Sequence, residues 1–230
     1  VIKSQAGNPD SLFIKATNFY ASEQYDSTIV LLDSIITLGY ESDHVYYNIG
    51  NCYYQRGNIP MSILFFEKTL VINPKNVDAL ANLEIAHKRV SLVEELPNFI
   101  FLQWWSHFTN IFSVNIWSLI VLTFVWLACL IIFLFVQNKK KIIFNIILFL
   151  VILNVVSISA LKSKMADDKQ VFGIFIENTK LYEQANRNSN ASNIGQGNKA
   201  LILDENEDWK YIQLKDGSKG WIKIESLLNI

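Results

Sequence analysis

The sequence is poor in the residues that build disulfide frameworks and metal centres. Its 230 residues include only two cysteines, Cys52 and Cys129, and three histidines. Cys52 lies in a predicted helix outside the apolar part of the chain and Cys129 lies within a long apolar run, so the two are not expected to pair. The histidines His44, His87 and His107 have no metal-ligand spacing, and neither Cys-x-x-Cys nor His-Glu-x-x-His occurs. These absences predict no structural disulfide, no metal site and no cofactor.

The chain also lacks the sequence patterns that accompany common enzyme chemistry. It contains no Ser/His/Asp or Cys/His arrangement that suggests a nucleophile, no P-loop and no glycine-rich phosphate turn. The acidic residues at 204–208 precede Trp209 and are expected to form a solvated hairpin turn rather than a catalytic carboxylate pair. We therefore expect a non-enzymatic protein.

Charge is balanced overall but uneven along the chain. Residues 1–96 carry seven basic and eleven acidic side chains, residues 162–230 carry ten of each, and residues 97–161 carry only three lysines. No basic face emerges that could hold a phosphate backbone, so nucleic acid is not expected as a partner.

Two long apolar runs occupy the middle of the chain, at residues 116–136 and 142–161, and neither contains a charged side chain. Each has about the 20 residues that a helix needs to cross a hydrocarbon core of roughly 30 Å. Lipid offers no hydrogen-bond partners to the backbone, so these runs are expected to be helices. The sequence predicts transmembrane helices at 115–136 and 142–161, joined by a turn at 137–141, with the flanking regions on one side of the membrane.

The orientation of this hairpin is predicted from its lysines. Lys139, Lys140 and Lys141 lie in the short turn between the apolar runs, where the positive-inside bias is strongest. The turn is therefore expected to be cytoplasmic, and both termini are expected to lie on the outer side. The chain begins at Val1 rather than at a methionine, which agrees with removal of an export signal or with trimming.

The region before the hairpin contains an internal repeat with a period of 34 residues. Residues 16–20 align with residues 50–54, and a third copy begins at Val77. Small residues at positions 8 and 20 of this period, Gly50 and Ser62 in the middle copy, are typical of the tetratricopeptide repeat. The sequence predicts an all-α solenoid over residues 1–96 with about two and a half repeats. An array this short would gain from docking on something else.

Stacked repeats expose the first helix of each pair on a concave face, which we expect to bind a partner protein or peptide. Asparagine offers both a donor and an acceptor to an extended peptide backbone, and paired basic side chains could meet a carboxylate. The alternative is that this face is only the solvated inner surface of a small bundle. The candidate partner-binding residues are His44, Tyr47, Asn48, Asn51, Tyr54, Asn82, Lys88 and Arg89.

Residues 97–114 are rich in aromatic side chains but carry a polar stripe that makes them unsuited to span a membrane. They are predicted to form an amphipathic helix that lies in the plane of the membrane, on its outward-facing surface. Alternatively, they form a groove for a neighbouring membrane helix. Trp104, Trp105 and Trp117 are expected at the level of the lipid headgroups. In the second apolar run, small and polar residues at 154, 157 and 160 are expected to pack against the first run or against a partner's helix.

The last part of the chain, residues 162–230, changes to short alternating strands after a linker. Five strands are predicted, with a hairpin turn at 215–218 and a polar loop at 186–197. The pattern Asp-Trp-x₄-Leu-x-Asp-Gly-x-x-Gly-Trp, which begins at Asp208, closely resembles bacterial SH3-like domains and implies a small all-β barrel. Trp209, Tyr211 and Trp221 could belong to its core or could line a ligand groove.

Repeats, hairpin and SH3-like tail, in this order, resemble the BatE family of the bacterial aerotolerance (Bat) operon. Residues 46–59 and 73–84, followed by the tryptophan-rich segment, carry the resemblance. It implies a scaffold of the bacterial inner membrane with periplasmic soluble parts, encoded beside von Willebrand A-domain membrane proteins and a MoxR-type ATPase. An alternative from the same residues is an envelope protein whose SH3-like domain binds peptidoglycan or an exported peptide.

Overall fold

The computed structural model describes residues 8–90, 92, 100–138, 141–186 and 189–230. The chain forms two compact units, one built from Val1–Leu96 together with Val171–Ile230 and the other from Pro97–Gln170. The expectation about Val1, the predicted domain boundary at 96–97, and Lys139 and Lys140 of the predicted turn lie outside the described residues.

The first unit begins with five helices in the order expected for helical repeats. Asparagine or serine side chains accept a hydrogen bond from a backbone N–H at the start of four of them. Gly39 and Gly57, with φ of 86° and 76°, follow the second and third helices in the left-handed conformation that favours glycine. The helices are α1 (Pro9–Ala21), α2 (Tyr25–Thr37), α3 (Asp43–Gln55), α4 (Ile59–Ile72) and α5 (Val77–His87).

Among the described residues, seven strands follow the second unit, rather than the five that were predicted. They form one antiparallel sheet in the order β3-β2-β6-β5-β4-β1-β7. A core on one face of this sheet contains Phe175, Leu181, Ile212 and Ile222, all buried. The strands are β1 (Val171–Phe175), β2 (Thr179–Tyr182), β3 (Ala191–Ile194), β4 (Lys199–Glu205), β5 (Trp209–Leu214), β6 (Lys219–Lys223) and β7 (Leu227–Asn229).

Two differences from the predicted SH3-like barrel concern the ends of this sheet. The polar loop predicted at 186–197 contains β3, which pairs with β2 although three of its four side chains are exposed. Among the described strands, β3 and β7 lie at opposite ends of the sheet and do not pair with each other. The observed sheet is therefore open, and the barrel closure that the SH3-like pattern implied is not confirmed.

The sheet packs against α4, within the same unit. This helix is apolar on several sides, with Ile63, Leu64, Phe65 and Phe66 all buried. A Cβ added to Gly197 would lie 3.0 Å from Val90 and 3.1 Å from Ile63, so the loop before β4 touches the repeats closely.

The same contact includes an ion pair and an apolar anchor. Lys199 Nζ lies 2.7 Å from Glu67 Oε2, and Ile174 of β1 belongs to the apolar core of the repeats. The third repeat supplies only α5 within the described residues. The short array of repeats thus packs against the chain's own sheet. This agrees with the expectation that so short an array would gain from docking on another surface.

In the part of the second unit that the structure describes there are three helices, α6 (Ile100–Thr109), α7 (Val114–Asn138) and α8 (Lys141–Asp167). Segments Val114–Phe133 and Asn145–Asp167 are long and apolar enough to cross a membrane. Among the described residues, α6 covers only residues 100–109 of the surface helix predicted at 97–114. Helix α8 continues six residues beyond the predicted end at 161.

Helices α7 and α8 pack against each other through the small and polar stripe of α8. Asn154 Nδ2 donates to the carbonyl oxygen of Val121 at 3.4 Å, and Ser157 and Ala160 are buried. The prediction that this stripe contacts the chain's own first apolar helix is confirmed for Asn154.

Candidate functional site

The concave face of the repeats is formed by the first helix of each pair, α1, α3 and α5. In α3, the buried positions Val45, Ile49 and Cys52 face the core. The predicted partner-binding residues His44, Tyr47, Asn48, Asn51 and Tyr54 lie on the other side of that helix and are at least partly exposed. The structure therefore places these five side chains on one face.

Asn82 of α5 links this face to the next repeat. Its Nδ2 donates to the Tyr47 hydroxyl at 3.2 Å and to Asn51 Oδ1 at 2.9 Å. Both amide protons of Asn82 are thereby used. Within the described residues, no partner is found for Asn82 Oδ1 or for Asn51 Nδ2. These two asparagines thus leave one acceptor and one donor without a partner among the described residues.

Asn48 lies on the α1 side of the same face. Its Nδ2 donates to the carbonyl oxygen of His44 at 2.9 Å, one turn earlier in α3. It also lines a cavity of about 30 Å³ with Phe13, Thr17 and Tyr20 of α1, which is room for about one water molecule. The concave face therefore continues from α5 across α3 to α1.

The two basic candidates, Lys88 and Arg89, have different surroundings. Lys88 Nζ lies 2.7 Å from Glu84 Oε1, one turn earlier, and this contact lowers the pKa of Glu84. The Arg89 guanidinium lies 4.6 Å from the centre of the Tyr54 ring. Arg89 therefore joins the concave face through Tyr54, whereas Lys88 pairs with its own helix.

Side-chain hydrogen bonds that the sequence did not reveal connect α3 and α5 at their amino-terminal ends. The Asp43 carboxylate accepts hydrogen bonds from Asn73 Nδ2 at 2.7 Å and Asn76 Nδ2 at 3.3 Å, which lowers the pKa of Asp43. Asn76 also caps α5 by accepting from the N–H of Ala79. The asparagine that precedes the third repeat was visible in the sequence, but its pairing with residue 43 depends on how the helices stack.

The aromatic candidates of the sheet lie on the face opposite its apolar core. The ring centres of Tyr211 and Trp221 are 5.0 Å apart, and those of Trp209 and Tyr182 are 5.4 Å apart. Lys223 Nζ lies 4.3 Å from the centre of the Trp209 ring, and Trp209 is buried beneath it. The structure thus brings Trp209, Tyr211 and Trp221 together on one aromatic face, which we call the outer face of the sheet.

The three tryptophans predicted at the membrane surface differ in exposure within the second unit. Trp104 is 61% exposed, Trp105 is half-buried, and Trp117 is buried against Phe108 and Phe112. Trp117 Nε1 donates to the carbonyl oxygen of Thr109 at 3.0 Å. Trp117 therefore fixes the turn between α6 and α7, while Trp104 stacks on Phe108 and stays exposed. Their depth in a membrane stays a prediction.

Comparison with known proteins supports the repeat assignment. Residues 45–76 match the tetratricopeptide repeat family. No curated protein is similar enough to the chain to match it. The matched segment covers α3 and α4, and it contains Tyr47, Asn48, Asn51 and Tyr54 of the concave face. Residues 45–76 therefore form a tetratricopeptide repeat, a module that supports a role in protein–protein interaction.

Proposed function

We propose that this chain is a non-enzymatic membrane scaffold whose concave face binds an extended segment of a partner protein. The observation that carries the proposal is the arrangement around Asn82, where two repeats are joined by side-chain amides that keep a spare acceptor and a spare donor. An extended peptide offers alternating N–H and C=O groups, which such a pair of atoms can satisfy. Tyr47 and Tyr54 add apolar contact area beside them.

The two soluble parts of the chain belong to one compartment under this proposal. Residues before α6 and residues after α8 pack together in a single unit. The chain between them must then cross a membrane an even number of times, and α7 and α8 supply two suitable helices. We propose a two-pass protein with Lys139, Lys140 and Lys141 in the cytoplasm and both soluble parts outside it.

The cellular setting that we propose follows from the order of the domains. A repeat domain at 1–96, a surface helix at 97–114, a hairpin at 115–161 and an SH3-like domain at 162–230 together resemble the BatE proteins. On this basis the chain is a periplasmically exposed subunit of a Bat-type complex in the bacterial inner membrane. Its partners would be von Willebrand A-domain membrane proteins and a MoxR-type ATPase, with a role in aerotolerance or envelope stress.

Affinity purification from membranes in mild detergent tests this function. The tagged chain is expected to recover a partner protein in stoichiometric amount. The triple variant Asn48→Ala, Asn51→Ala, Asn82→Ala should lose it, because the polar atoms that meet the partner's backbone are removed. The matched control is Asn18→Ala, since Asn18 is exposed and lies on the face of α1 that points away from Phe13 and Thr17.

A second candidate is favoured by the outer face of the sheet. Its half-buried rings of Tyr211 and Trp221, 5.0 Å apart, offer a surface on which a glycan such as peptidoglycan could stack. In that case Trp221→Ala should abolish binding to purified cell-wall sacculi and leave any protein complex whole.

A partner that is retained by the triple asparagine variant would contradict the role of the concave face.

A further inference from the structure

The edge of the sheet at β3 has free backbone groups. The N–H of Glu183 donates to the carbonyl oxygen of Asn190 at 3.1 Å, and Leu181 pairs with Ser192 two residues further on. Hydrogen-bonded pairs alternate along an antiparallel ladder, so the N–H and C=O groups of Ala191 and Asn193 point away from β2. Within the part of the chain that the structure describes, these groups have no backbone partner.

Apart from its short length of four residues, this edge lacks the devices that usually prevent strand addition. β3 has the sequence Ala-Ser-Asn-Ile, which contains neither a charged side chain nor a proline. Its pairing with β2 shows no register shift. Natural sheets normally protect an exposed edge with such features. The opposite edge differs, because Lys210 Nζ holds β7 through Asn229 Oδ1 at 2.8 Å and Ile230 packs against the core of the repeats.

The surface beside β3 is basic. Lys180 lines a cavity of about 390 Å³ together with Asn193, and Lys219 lines another of about 340 Å³ together with Ala191. Both lysines are exposed, and neither has an acidic partner among the described residues. Glu183, whose carboxylate is the one carboxylate among the described residues that line these cavities, accepts a hydrogen bond from Asn190 Nδ2 at 3.3 Å.

The geometry points to a second binding site, at which an extended acidic peptide adds to β3 as an eighth strand. Its backbone would pair with Ala191 and Asn193, and its acidic side chains would meet Lys180 and Lys219 at the two ends of the strand. This site is separate from the concave face of the repeats and does not depend on it. A peptide fits better than a nucleic acid, because a phosphodiester chain cannot supply the alternating N–H and C=O groups that the edge requires.

Binding of a fluorescent peptide to the full-length chain in detergent tests this inference. The probe is a peptide of about eight residues with alternating glutamate and threonine, long enough to cover one strand. Fluorescence anisotropy should show binding that weakens by about tenfold or more in the double variant Lys180→Glu, Lys219→Glu. Lys75→Glu serves as the control, since Lys75 is an exposed lysine in the turn between α4 and α5.

Selective N-methylation of the probe separates strand addition from simple charge attraction. Methyl groups on one set of alternate amides should abolish binding, whereas methyl groups on the other set should leave it unchanged, because only one side of the probe faces β3. The inference is overturned if the unmodified probe does not bind at about 1 mM, or if both methylated probes bind equally well. Tighter binding of an oligothymidylate of the same length would overturn it too.

Discussion

Small residues where helices cross set the spacing of the repeats. Gly50 of α3 lies against Phe66 of α4, and a Cβ added to Gly50 would be 2.7 Å from two atoms of the Phe66 ring. Ser62 of α4 belongs to the same helix pair, Thr28 of α2 contacts Ala16 of α1 in the preceding pair, and both are buried. Because Phe66 is itself fully buried, its ring has little room to move aside. The 34-residue pattern of small side chains thus has a direct steric cause.

We expect Gly50→Ala to destabilise the repeats by about 1–3 kcal/mol through overpacking against Phe66. Hydrogen exchange of the full-length chain in detergent measures this, and the amides of α3 and α4 should exchange about 5- to 150-fold faster. The double variant Gly50→Ala, Phe66→Leu should recover part of the lost protection, because the smaller side chain makes room for the new methyl group. Unchanged protection in the single variant would show that the crossing has free space.

The candidate site was predicted only in part at this scale. The 3.6-residue periodicity placed Tyr47, Asn51 and Asn82 on helix faces that line the concave surface, and in the structure Asn82 bonds to the other two. That Asn82 bonds to both of the others depends on the distance between α3 and α5, which periodicity does not contain. The pairing of Asp43 with Asn73 was hidden for the same reason.

At the scale of elements, long apolar or strongly periodic segments were predicted well and short polar ones were not. Helices α7 and α8 extend two to six residues beyond the predicted apolar runs, because helices do not end where lipid-compatible residues end. Strand β3 was missed because only Ile194 of its four residues is buried, so no alternation of apolar and polar side chains marks it. Pairing with β2 forms this strand.

The contact between α4 and the sheet also belongs to this scale, and it contains a testable ion pair. Glu67 and Lys199 are mostly buried, with side-chain exposures of 14% and 26%. In a double-mutant cycle, Glu67→Lys and Lys199→Glu should each weaken the contact, and their combination should restore it, with a coupling energy of about 0.5–3 kcal/mol. Hydrogen exchange of β1 and β4 is the measurement.

The matched control for this cycle is the pair formed by Asp26 and Arg56. Its atoms are 2.8 Å apart, but its side chains are 77% and 41% exposed, so solvent screens their attraction. Exchanging these two charges should change the protection of their own helices little. Equal coupling energies in the two cycles would show that burial of Glu67 and Lys199 adds nothing.

At the scale of the whole molecule, parts far apart in the sequence form one unit. Glu67 and Lys199 are separated by 132 positions, and the apolar helices α7 and α8 lie between them in the chain. Neither hydrophobic periodicity nor a repeat pattern encodes a contact of this kind. The sequence did predict that the regions before and after the hairpin lie on one side of the membrane, because a hairpin returns the chain to the side from which it came. The contact supports the proposal that both soluble parts share one compartment.

The central claim is that the concave face of the repeats contacts a partner protein, and photo-crosslinking in intact membranes tests it most directly. A benzophenone amino acid in place of His44, which is exposed on this face, would be compared with one in place of Asn18 on the opposite face of α1. We predict a defined covalent adduct with another protein from position 44 and none from position 18. No adduct from position 44, or equal adducts from both positions, would contradict the claim.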